Sequence, residues 1–176
     1  WLNSSTLSRN WARRTRDEVV TEMHWPWTTQ VPPFRIVPAA EVEAALREFL
    51  EARWFTTPAN PRSMMRIDLA LNDSEYKLMS RQQLDFYLRT CPRTEYVIQY
   101  YDCDDSAFAF IVRLTQKWGV NSAGFVKDNG AAHAYNIVAL DDGVGGTLVV
   151  LVEPQTATVV DPDEVLYLCR IGLILI

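Results

Sequence analysis

Cys103, His133 and Glu153 occur in an order and in surroundings suited to nucleophilic catalysis. Cys103 stands where a β-prone run, Tyr96 to Tyr101, hands over to a helical pattern from Asp104 to Trp118, so its sulfur is expected at a helix N-terminus. Unsatisfied N–H groups and the positive dipole end stabilise a thiolate there, whereas Asp102, Asp104 and Asp105 repel one unless they bind a cation or cap the helix. His133 opens a strand, Ala132 to Leu140, whose alanines leave room around the ring. If that strand forms a hairpin with Thr147 to Glu153, pairing Leu140 with Gly146 or Thr147 sets His133 opposite Glu153 or Pro154. A carboxylate beside the imidazole fixes its tautomer and favours its charged form. The expectation is a Cys103–His133–Glu153 triad, with the Cys103 N–H and Gln99 as oxyanion donors. Asn136, three residues from His133 on one strand, faces the other way and is not expected to orient it.

Residues 1–37 carry four tryptophans, the arginines 9, 13, 14 and 16, and prolines 26, 32 and 33; a short helix from Trp11 to Met23 and an irregular strap are expected. Val42, Ala45, Leu46, Phe49, Leu50 and Trp54 recur at three and four, which predicts an amphipathic helix over 38–54. A turn-rich stretch, Thr56 to Arg62, suggests a border between an N-terminal extension or cap, 1–60, and a main domain, 61–176. Met65 to Leu71 reads as a strand, and Ser80 with Gln83 as a capping box opening a helix that Pro92 ends. Gly119 stops the helix that follows Cys103. Strands are expected at 123–127, 132–140, 147–153, 156–160 and 166–176. The class is α+β: the central helix bearing Cys103 packed on a C-terminal antiparallel sheet.

Composition excludes several classes. In 176 residues, 48% are hydrophobic and 22% charged, the balance of a packed globular protein. The net charge of -5 has no general attraction for nucleic acid. Apolar runs are too short for a membrane span, Arg170 breaking the most apolar one, so a soluble protein is expected. The first residues show no signal-peptide pattern and are expected to be a trimmed or processed end. Cys91, Cys103 and Cys169 have neither disulfide-framework nor zinc-ligand spacing. The acidic group 102, 104 and 105 reads either as helix-capping chemistry or as a cation site whose hard oxygens favour Ca²⁺. The Trp- and Pro-rich start offers a surface for assembly.

The segments Tyr101–Phe108, His133–Asn136 and Val152–Thr156 resemble the papain-like C-terminal domain of fungal agglutinins of the Marasmius oreades type and its bacterial and phage relatives. The resemblance spans about residues 65 to 176. It implies a papain-like fold and a calcium-activated cysteine peptidase acting on peptide or protein substrates, with Cys103, His133 and Glu153 as triad. It implies Asp105 and Gln155, with Asp104 beside them, as ligands of the cation. Ser106 departs from the family's motif, which has an aromatic residue there, and no sugar-binding β-trefoil is legible in the first 60 residues, so glycan binding is not carried over. Two other readings stand beside the peptidase: a cell-wall amidase of the NlpC/P60 type, and a non-catalytic structural or binding module, for instance of a phage or toxin, that keeps the fold.

Overall fold

A computed structural model describes residues 33–54, 67–91, 97, 102–162 and 172–176. The expected helix at 11–23, the Trp- and Pro-rich start, the connection at 56–62, Gln99 and Cys169 lie outside the described residues. The elements, in chain order, are β1 (Arg35–Pro38), α1 (Ala39–Trp54), β2 (Ile67–Ala70), β3 (Glu75–Ser80), α2 (Arg81–Thr90), α3 (Cys103–Trp118), β4 (Ala123–Asp128), β5 (His133–Asp141), β6 (Thr147–Glu153), β7 (Thr158–Val160) and β8 (Gly172–Leu175). The class is α+β, as the sequence predicts.

The sheet is mixed, not purely antiparallel. Antiparallel pairs join β4 to β5, β5 to β6, β6 to β7, β4 to β8 and β1 to β3, whereas β3 runs parallel to β5 and β2 parallel to β8. β5 is the hub. It pairs with β6 over Asn136–Asp141, with β4 over His133–Val138, and with β3 at Leu140 and Asp141. β1 and β3 are strands that the sequence reading left unassigned; both are short, and neither carries a sustained alternation that would declare it.

Strand alternation sorts the core into two faces. Tyr135, Ile137 and Ala139 of β5, with Val149 and Leu151 of β6, meet Val42, Leu46, Phe49 and Leu50 of α1. Val138, Leu140 and Val152 turn the other way and meet Leu84, Tyr87 and Leu88 of α2 and Phe110 and Leu114 of α3. Each such fully buried aliphatic or aromatic side chain stabilises the fold by about 1.5–3 kcal/mol. α1 thus lies within the compact unit Pro32–Ile176 and contributes to its core, although the sequence placed it ahead of a border at residue 60.

Local signals set the helix ends. At α2, Gln83 N–H donates to Ser80 Oγ (3.3 Å) and Ser80 N–H to Gln83 Oε1 (2.7 Å), the expected reciprocal cap. Gly119, at φ 64°, closes α3 in the left-handed conformation, its N–H donating to Thr115 O.

Candidate functional site

The hairpin that carries His133 and Glu153 has a different register from the one counted from sequence. Leu140 pairs with Leu148 and Asp141 with Thr147, because Asp141 belongs to the strand and the loop closes on itself through Asp142 N–H to Gly146 O (3.1 Å). One step beyond the observed ladder, Tyr135 stands opposite Glu153, so His133 reaches the carboxylate diagonally. His133 Nε2 lies 2.8 Å from Glu153 Oε2, and Gln155 N–H donates to Glu153 Oε1 (3.1 Å). The carboxylate is 5% exposed, whereas the imidazole keeps part of its surface open to solvent. The Tyr135 ring lies beside it, tilted by 36° with 5.8 Å between centroids.

Cys103 is the first residue of α3, as its position after the β-prone run implies. It packs against Ala107, Phe125 and Ala134, the last being the strand neighbour of His133. Alternation directs Ala134 toward α3 and the Cβ bonds of His133 and Tyr135 to the other side of the sheet. The structure brings His133 and Glu153 into contact, with Cys103 packed against the neighbouring Ala134. Cys91 lies elsewhere, at the end of α2, where its thiol donates to the Tyr87 hydroxyl (3.2 Å).

The N-terminal turn of α3 gathers negative groups. Ligand atoms of Asp102, Cys103 and Asp104 all fall within 4.8 Å of one another. The carboxyls of Asp102 and Asp104 share a hydrogen bond, which raises the pKa of Asp102 and lowers that of Asp104; Lys127 on β4 adds a smaller lowering at Asp104. Two carboxylates this close hold either a proton or a cation between them. Asp102 Oδ1 is buried with no hydrogen-bond partner among the described residues, a donor oxygen of the kind that suits a hard divalent cation. Asp105 turns back to accept from Asp102 N–H (3.3 Å), which is capping geometry. Of the expected ligands, Asp104 belongs to this cluster and Asp105 is engaged in the cap; Gln155 Nε2 is a buried donor atom with no hydrogen-bond partner among the described residues.

Comparison with known proteins bears on what this arrangement does. No protein-family model matches the chain, and no curated protein matches it. Among solved structures it is similar to PSL1a in complex with E64, with TM-score 0.56 and 21% identity over 80% of this chain and 51% of that one. A second similar structure is the Polyporus squamosus lectin bound to the human-type influenza-binding epitope Neu5Aca2-6Galb1-4GlcNAc, with TM-score 0.49 and 23% identity over 78% of this chain and 49% of that one. The chain therefore spans about half the length of these proteins, and the first likeness gives the fold. The first of them is not named as a peptidase or an amidase. The expectation of a thiol hydrolase, whether calcium-dependent cysteine peptidase or cell-wall amidase, is corrected accordingly: the likeness carries the fold and neither activity.

No helix among the described residues is long and apolar enough to cross a membrane.

Two features escaped the sequence reading. One is the bonding of the Asn136 side chain, which is invisible until the strand is packed against a helix. The other is a cluster around Arg35, whose partners lie more than 100 residues away along the chain, at Gly145, Gly146 and Thr147.

Proposed function

We propose that the chain is a binding module whose ligand seat is the corner between the first turn of α3 and the start of β5, with Cys103, Asp102 and Asp104 on one side and His133 and Glu153 on the other. The observation that carries this reading is the partly exposed imidazole anchored at 2.8 Å on a buried carboxylate, one residue from the strand position against which Cys103 packs. A partly exposed ring held by a buried carboxyl group is a fixed hydrogen-bonding group presented to an incoming molecule. The fold likeness to PSL1a supplies the probe, since that protein is in complex with E64. Calcium belongs to the same proposal: a divalent ion takes the place of the proton between Asp102 and Asp104 and relieves their repulsion when the seat is filled.

Titration calorimetry with E64, in calcium and in EDTA, tests the reading. Saturable binding is expected, at least tenfold weaker in Cys103→Ala and in His133→Ala, and weaker in EDTA than in calcium. Absence of binding by the wild-type chain, or equal binding by both variants, overturns it.

A further inference from the structure

Asn136 is a wholly buried polar side chain in the middle of β5, and it faces α3, not His133. Its Nδ2 donates to Ala107 O on α3 (3.0 Å) and to Gly124 O on β4 (3.1 Å). One amide thus ties a helix to two adjacent strands. Its Oδ1 has no hydrogen-bond partner among the described residues. A buried amide left half-satisfied costs stability, so an aliphatic side chain would serve packing better at this position.

We infer that Asn136 is the positioning residue of the ligand seat: it sets the height of α3 along β5 and so places the Asp102–Asp104 turn relative to His133. This inference rests on the reading of that turn as part of the seat. Ala107 is one helical turn from Cys103 on the same side of α3, about 6 Å along the axis at 1.5 Å per residue. Around this bond lie Ala107, Phe125, Ala134, Cys103 and Ile111, and farther along α3 Phe110 and Leu114 pack into the core shared with α2 and β5. Apolar contacts hold the helix on the sheet but have no direction of their own. A hydrogen bond from a side chain fixed on a central strand does have direction and length, and two from one amide leave a single register. Phe108, half exposed on the same helix, stacks on Phe125 with 4.4 Å between ring centroids.

The test compares Asn136→Leu with Leu46→Ala, a core substitution on the opposite face of the sheet that lowers stability without touching α3. Iodoacetamide alkylation of Cys103 is followed by peptide mass spectrometry at neutral pH, and the amide resonances of Asp102 to Asp105 are recorded by NMR. Asn136→Leu is expected to change the Cys103 alkylation rate at least threefold and to move those resonances, while Leu46→Ala, at comparable loss of Tm, moves neither. Should Leu prevent folding, Asn136→Ser, which shortens the arm and keeps a hydroxyl, takes its place with the same expectation. A folded Asn136 variant with the wild-type rate and resonances overturns the inference. Alkylation needs no ligand, so a chain that fails to bind E64 but shows these shifts refutes the binding reading and leaves the positioning role standing.

Discussion

Charge is used in opposite ways at the Arg35 cluster and at the first turn of α3. Arg35, on β1, lies 2.8 Å from Glu41 of α1 and 3.2 Å from Asp141 of β5, and donates to Gly145 O, Gly146 O and Thr147 Oγ1. Thr147 Oγ1 in turn donates to Glu41 Oε1 (2.7 Å). Every charge there has an opposite charge or a dipole facing it, and the result clasps the β5–β6 loop to β1 and α1. In the first turn of α3, carboxyls stand against carboxyls and one buried oxygen has no donor. Arg35 Nε also lacks a hydrogen bond of good geometry, so the contrast is one of charge: opposite charges drawn together stabilise the fold by themselves, whereas like charges drawn together call for a cation or a proton.

The comparison is broken most forcefully at its first member. Arg35→Ala leaves Glu41 and Asp141 facing each other across a partly buried gap and is expected to cost about 2 kcal/mol, read as a lower urea midpoint at unchanged m value. A loss too small to measure shows that the clasp is ornamental.

Acid separates the two regions next. The Thr147 hydroxyl, and then Arg35, hold the Glu41 carboxyl below its ordinary value of 4.5, and the N–H groups of Val144 and Gly146 do the same for Asp142. A lowered carboxyl stabilises the fold above its unfolded pKa and loses that contribution as pH falls through the folded one. Asp102 has the opposite sign: its raised pKa contributes at low pH and is lost as pH rises through it. Thermal melts below pH 4.5 are expected to show the Tm gap between wild type and Arg35→Ala closing. A constant gap places the stabilisation outside the clasp's titration.

Calcium sharpens the second member. Millimolar Ca²⁺ is expected to raise Tm by a few degrees, and Asp102→Asn, which keeps the hydrogen bond to Asp104 but removes a negative charge, is expected to leave Tm in EDTA unchanged or higher and to abolish the calcium response. A lower Tm in EDTA contradicts like-charge crowding. The smallest effect is expected at the loop tip: Val144 is 91% exposed, and Val144→Ser should change stability by less than about 0.5 kcal/mol, showing that the clasp, not its tip, holds the loop.

Much of the fold was legible because its signals are local. The spacing of Val42, Leu46, Phe49 and Leu50, the Ser80–Gln83 box and Gly119 each depend on neighbours within a few residues, and each element formed where they indicate. The proximity of His133 and Glu153 was legible too, because a hairpin is a short-range object, but its register was not: whether Asp141 ends the strand or starts the loop is settled by Arg35 and Thr147, which pull it into the sheet. The parallel pairing of β3 with β5 left no trace in either strand's sequence. The peptidase reading failed at the next level, since residue types in the right order carry a likeness of fold and not an activity.

The sequence alone determined the α+β class, the helix that begins at Cys103 and the strands that bear His133 and Glu153, because periodicity and capping act through contacts a few residues long. Tertiary structure decided the sheet's mixed pairing, the two faces of β5 and the Arg35 clasp. Those depend on which distant surfaces exclude water together, and burial of that kind has no period to read along the chain.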